Sequence, residues 1–113
     1  DTLPYNGGTT TCEALWMGVP VVSLAGESFV ARMGESLLNT VGHAQWLAQD
    51  AAGFVRIAAH LAADTGALAA HRAALRERMR DSGLCDAAGY TRSLESLYAS
   101  MADERLAGIG ARA

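Results

Sequence analysis

The chain has no lysine, so its nine basic residues are all arginines, set against twelve acidic residues. The resulting net charge of −3 excludes the broad basic surface that nucleic-acid binding needs, and we expect no nucleic-acid partner. The two cysteines, Cys12 and Cys85, form no Cys-x-x-Cys pair, which leaves a zinc or redox motif without support. No apolar run approaches the roughly twenty residues of a membrane span, so we expect no membrane partner.

The length of 113 residues allows one domain at most, and half of the residues are hydrophobic, as is ordinary for a globular chain. The first four residues, Asp1 to Pro4, come directly before the loop that contains two glycines. In a βαβ unit a strand would come before such a loop. We therefore expect the chain to be a C-terminal fragment of a larger enzyme.

The most informative segment joins two glycines to three threonines, followed by a glutamate and a Gly-Val-Pro-Val-Val run at residues 18–22. Glycines let the backbone approach an anion closely, and the start of a helix presents free N–H groups to it. A carboxylate one turn further on is suited to a sugar diol. The segment predicts a nucleotide-sugar site with these donor-binding residues: Gly7, Gly8, Thr9, Thr10 and Glu13.

The same segment resembles the nucleotide-binding segment of GT-B glycosyltransferases, and more closely that of the protein O-GlcNAc transferases with their TPR-linked and SPINDLY-like relatives. The resemblance begins at Asp1-Thr2-Leu3-Pro4-Tyr5 and covers nearly the whole chain, to about Met101. Later blocks that carry it include Leu24-Ala25-Gly26-Glu27-Ser28, Ser36-Leu37-Leu38, Cys85-Asp86 and Tyr90-Thr91-Arg92-Ser93-Leu94-Glu95. The animal enzymes have histidine in place of Gly8, whereas glycine fits the bacterial pattern.

The resemblance implies UDP-GlcNAc as the donor, a protein Ser or Thr hydroxyl as the acceptor, and inversion at the anomeric carbon without a metal or other cofactor. It places the catalytic groups in an N-terminal lobe, with TPR repeats further upstream, so no catalytic residue is expected here. Separately, the thiol at position 12, set within a predicted helix, is expected to be free in a reducing cytoplasm. Two alternatives stay open: a GT-B transferase with another donor or acceptor, and a helical module that binds a partner and no nucleotide.

The pattern predicts an α/β fold, the trailing half of a Rossmann-like GT-B nucleotide-binding domain. Two short parallel strands, at 19–24 and 46–48, accompany predominantly helical content. Helices are predicted at 9–17, 29–41, 50–63, 67–80 and 86–106. The last of them is predicted to pack an inner face of four apolar residues, Tyr90, Leu94, Leu97 and Met101. The donor-binding portion would occupy residues 1–106, followed by a frayed tail at 107–113.

Several side chains allow a purely structural interpretation. Glu13 could instead close a Thr-x-x-Glu capping box with Thr10. Trp16 is assigned to the core, and the three histidines to the surface or its boundary, since they lack metal-ligand spacing. The arginines at 72, 76 and 80 are assigned to a solvated helix face, and Arg32 to a local ion pair.

We also expect two properties of the chain by itself. It should lack transferase activity, because the acceptor site and the catalytic groups would lie upstream. It should self-associate, because a pair of short parallel strands leaves an edge that invites pairing with another chain.

Overall fold

A computed structural model describes the backbone of residues 1–110 and the side chains of residues 1–107. The elements in chain order are α1 (Thr9–Trp16), β1 (Ser23–Leu24), α2 (Met33–Thr40), β2 (Leu47–Ala48), α3 (Ala51–Ala63), α4 (Thr65–Arg80) and α5 (Ala87–Gly110). Short 3₁₀ turns, Phe29–Ala31 and Ala44–Trp46, precede α2 and β2. The predicted class, helices with two short parallel strands, is confirmed.

The two strands pair in parallel, with Ser23 opposite Leu47 and Leu24 opposite Ala48. The direction of pairing agrees with the prediction, but the first strand is much shorter than residues 19–24. Val19 is 41 % exposed, and only the last two predicted residues join the ladder. Because the second strand offers only two partners, the apolar run before Ser23 has nothing to pair with and stays irregular.

The helix ends follow from local chemistry. Gly18 and Gly42 adopt φ values of +73° and +74°, a left-handed conformation that costs other residues energy, and they end α1 and α2 as predicted. Asp50 and Asp64 cap α3 and α4, where each carboxylate accepts a backbone N–H three residues on. The Asp64 cap starts α4 at Thr65, two residues before the predicted start.

The core lies between α1, α2 and α4. Its buried members are Leu15, Leu38, Val41, Trp46, Leu75 and Met79. The prediction assigned Trp16 to this core, and that is wrong, because Trp16 remains 38 % exposed. The guanidinium of Arg76 lies 5.3 Å from the centre of its ring, and Arg76 Nε donates to the Trp16 carbonyl over 2.9 Å. Because α4 packs against α1, Arg76 lies over the indole of Trp16 as well as contacting solvent.

Helix α5 does not have the predicted inner face. Of the four apolar residues expected there, only Leu94 is half-buried, whereas Tyr90, Leu97 and Met101 are more than half exposed. The helix also extends to Gly110, four residues beyond its predicted end at Leu106, and the rest of the expected tail, 111–113, lies outside the described residues. None of the described helices is both long enough and apolar enough to cross a membrane.

Candidate functional site

A cavity of about 880 Å³ opens where the loop of residues 1–8 meets the starts of α1 and α2. The residues around it are Thr2, Tyr5, Asn6, Gly7, Gly8, Thr9, Thr10, Cys12, Phe29, Met33 and Leu37. No charged side chain is among them. Four of the five predicted donor-binding residues, Gly7 to Thr10, therefore come together on one wall, while Glu13 does not line the cavity.

The start of α1 leaves backbone donors free beside this cavity. The residue that precedes the helix is Gly8, which has no side chain to cap it, and the first helical bond runs from Cys12 N to Gly8 O. Within residues 1–110, the N–H groups of Gly8, Thr9 and Thr10 donate to no protein acceptor. A helix start with unpaired N–H groups carries a partial positive charge and favours an anion.

Gly7 has a different place in the wall. Its N–H donates to a carboxylate oxygen of Asp1 over 2.8 Å and is therefore not free for a ligand. A Cβ atom at this position would lie 2.6 Å from Thr11 Oγ1 and 2.7 Å from Thr10 Oγ1. Gly7 lets the loop pass closely against these hydroxyls, and the unpaired backbone N–H groups in this part of the described chain belong to the residues that follow it.

Glu13 lies exposed on α1, one turn after Thr9. The capping-box interpretation is wrong, because α1 begins at Thr9 rather than after Thr10, and no side-chain bond caps it. In the part of the chain that the structure describes, the Glu13 carboxylate accepts no hydrogen bond and remains available to a ligand that extends beyond the cavity.

Two polar residues that sequence reasoning did not assign to the site anchor the loop. Asn6 is fully buried: its Oδ1 accepts from Gly34 N over 3.3 Å, and its Nδ2 donates to Thr2 O over 3.1 Å. The carboxylate of Asp1 accepts from Ser23 Oγ over 2.8 Å, in addition to Gly7 N. The feature of the sequence that could have revealed these contacts is Ser23, a polar residue in an apolar run, because a buried hydroxyl needs a hydrogen-bond partner.

The predicted ion pair of Arg32 is confirmed, because its Nε lies 2.9 Å from Glu35 Oε2, one turn along at the start of α2. The pair is largely exposed and does not line the cavity. Among the described residues, no group of three or more His, Cys, Asp or Glu side chains is arranged to hold a metal ion.

The predicted surface location is wrong for His43, which is 2 % exposed. Its ring stacks on Trp46 with centroids 3.8 Å apart, and the ring of His71 meets it edge-on at 5.5 Å. Burial, together with the nearby charges of Arg78 and His71, lowers the pKa of His43 to about 4. This cluster joins α4, through His71, to the turn before β2, and none of its three rings lines the cavity, so it belongs to the core rather than to the site.

Comparison with known proteins gives a family. The model of glycosyl transferase family 41 matches residues 1–94. A probable UDP-N-acetylglucosamine–peptide N-acetylglucosaminyltransferase SPINDLY of Solanum lycopersicum is 48 % identical over 101 residues, 89 % of this chain and 11 % of that protein. A UDP-N-acetylglucosamine–peptide N-acetylglucosaminyltransferase of Caenorhabditis elegans is 34 % identical over the same length, 9 % of its own chain.

A solved structure also matches. A mutant of the O-GlcNAc transferase of Thermobaculum terrenum superposes with a TM-score of 0.81 and 42 % identity, over 89 % of this chain and 19 % of that one. The match confirms the fold expected from the resemblance, a part of an O-GlcNAc transferase domain. The chain spans about a tenth of the length of the curated relatives it matches.

Proposed function

This chain belongs to glycosyl transferase family 41, and we propose that it forms the donor-binding wall of a GT-B enzyme that transfers GlcNAc from UDP-GlcNAc to Ser or Thr hydroxyls of proteins. The observation that carries the proposal is the set of unpaired amides of Gly8, Thr9 and Thr10 on one wall of an uncharged cavity. These amides supply the hydrogen-bond donors that a diphosphate needs, at the helix start to which the family resemblance assigns the diphosphate.

The same amides have a role in the reaction. Negative charge grows on the UDP leaving group as the bond to the sugar breaks. Donors that are already fixed in direction stabilise this charge without reorganising, and so they lower the barrier to transfer. The hydroxyls of Thr9 and Thr10 add two further donors at the same helix start.

Glu13 accepts the ribose hydroxyls in this proposal. It stands one turn along α1 from the amides, unpaired and exposed, so a nucleoside that leaves the cavity along the helix reaches it. The apolar side of the cavity, with Phe29, Met33 and Leu37, contacts the less polar faces of the ligand.

The chemical step needs residues beyond this wall. No carboxylate or imidazole is among the residues around the cavity, so nothing there takes the proton of the acceptor hydroxyl. The proposal assigns that step to an N-terminal lobe preceded by TPR repeats, in a cytoplasmic enzyme that uses no metal. Mass spectrometry of the glycosylated product distinguishes GlcNAc and a protein acceptor from the alternative of another donor or acceptor.

Replacement of Thr10 or Glu13 by alanine in the complete enzyme is expected to weaken UDP binding by about 1–3 kcal/mol, the range for a lost hydrogen bond to a charged group. Isothermal titration with UDP measures the effect. Thr10→Ser, which keeps the hydroxyl, should bind UDP nearly as well as the wild type. Glu95→Ala, which removes an exposed carboxylate from α5, is the control for Glu13→Ala. Unchanged UDP affinity in both alanine variants would contradict the proposed contacts.

The chain by itself is expected to show no transfer from UDP-GlcNAc, because its cavity holds donors for the leaving group but no base for the acceptor. The measurement is release of UDP in the presence of a peptide rich in Ser and Thr, with the complete enzyme as the positive control. Turnover by the 113-residue chain alone would show that the catalytic base lies within it.

A further inference from the structure

We propose that Asp1 and Asn6 are positioning residues of the donor site: they hold the loop of residues 1–8 so that the amides of Gly8 to Thr10 face the cavity. This inference rests on the proposed function, since it explains how the phosphate-binding amides are kept in place. Neither side chain needs to touch the donor for this role.

The buried amide of Asn6 ties the loop to two other parts of the chain. Its Oδ1 accepts from Gly34 N in the first turn of α2, and its Nδ2 donates to Thr2 O at the beginning of the loop. Its own backbone N–H donates to Val30 O over 3.0 Å. A buried amide is costly unless both of its ends are bonded, so the loop conformation that satisfies Asn6 is strongly preferred over others.

The carboxylate of Asp1 holds the loop at a second point, where it bonds to β1 and to the loop's own backbone. It accepts from Gly7 N and from the buried hydroxyl of Ser23 on β1, each over 2.8 Å, and it is not among the residues around the cavity. A negative charge near a phosphate site opposes phosphate binding, so electrostatic attraction does not explain this side chain. What it does is fix the peptide of Gly7, and thereby the direction of the Gly8 amide that follows.

Together the two side chains connect the loop that leads to the amides of Gly8 to Thr10 with both β1 and α2. Because the loop is held at both ends, the entropic cost of ordering it arises during folding. It does not reduce the free energy of ligand binding or raise the barrier of the reaction. Loss of either anchor should therefore affect both UDP affinity and turnover, even though the donor contacts themselves remain in the sequence.

The test compares Asp1→Ala, Asp1→Asn and Asn6→Ala with the wild type in the complete enzyme. Circular dichroism first sets a temperature at which every variant is folded, and UDP titration and steady-state kinetics follow at that temperature. Leu75→Val is the control, because it weakens the core through α4 without touching the loop. Asp1→Asn keeps an oxygen that can accept from Gly7 N and tests rescue by a conservative change.

We expect both alanine variants to raise the UDP dissociation constant about tenfold and to lower kcat, equivalent to one or two lost hydrogen bonds. Asp1→Asn should recover much of the loss, and Leu75→Val should lower the melting temperature with no change in UDP affinity. Wild-type affinity in folded Asp1→Ala and Asn6→Ala would overturn the inference, as would tighter UDP binding by Asp1→Ala. A wild-type enzyme that binds no UDP would instead overturn the proposed function.

Discussion

Replacement of Gly34 by alanine is expected to lower the free energy of unfolding by about 2–3 kcal/mol, the upper part of the range for overpacking a tight contact. A Cβ atom here would lie 2.6 Å from Ser23 Cβ and 2.8 Å from Asp1 Oδ2, and closer still to Ser23 Oγ. Ser23 is fully buried on β1 and has no room to withdraw. The added methyl group must therefore push α2 away from the strand or break the bond from Ser23 to Asp1.

Gly66→Ala is the matched control, because Gly34 and Gly66 are each the second residue of a helix. Gly66 is exposed, and its added Cβ would meet only Asp64 Oδ1 at an ordinary distance of 3.5 Å. Alanine there should stabilise the chain by about 0.5–1 kcal/mol, because it reduces the freedom of the unfolded chain. Denaturant unfolding of both variants measures the change in the free energy of unfolding. A change in the same direction in both variants would contradict the close approach at Gly34.

Acidification is expected to destabilise the fold through His43. Its pKa is about 4 in the folded chain and about 6.5 when unfolded, so between these values the unfolded chain takes up a proton that the folded chain does not. The contribution of His43 is complete above about pH 6.5 and decreases as the pH falls towards 4. The expected loss is about 2 kcal/mol at pH 5 and about 3 kcal/mol below pH 4.

The physical reason is the closed surroundings of the ring. His43 Nδ1 lies 3.0 Å from Gln45 Nε2, while its Nε2 is buried and finds no acceptor within the described residues. A charged imidazole would there lose its hydration and face Arg78 and His71. Urea titrations at pH 7.5 and pH 5 measure the effect in the wild type, in His43→Gln and in the exposed-histidine control His60→Gln. If His43→Gln keeps the full pH dependence, another group causes it.

The local features were predictable because each depends on residues close together in the chain. Left-handed glycines at 18 and 42 end their helices and Asp50 begins α3, as short-range steric and capping rules require, whereas the cap by Asp64 was missed. The gathering of glycines and threonines around one cavity also follows from their position at a single helix start. The errors lie elsewhere, at Trp16, at His43 and along α5, where exposure depends on which distant element lies on top.

The sequence by itself determined the glycine–threonine motif, the family to which the chain belongs and the order of its helices and strands, because these depend on adjacent residues and on spacing along the chain. Only the tertiary structure decided how the motif is held. The bonds from Asp1 to Ser23 and from Asn6 to Gly34 span 22 and 28 residues, and no local pattern encodes such pairings. They exist because a polar group that packing removes from water must find a partner wherever the fold provides one.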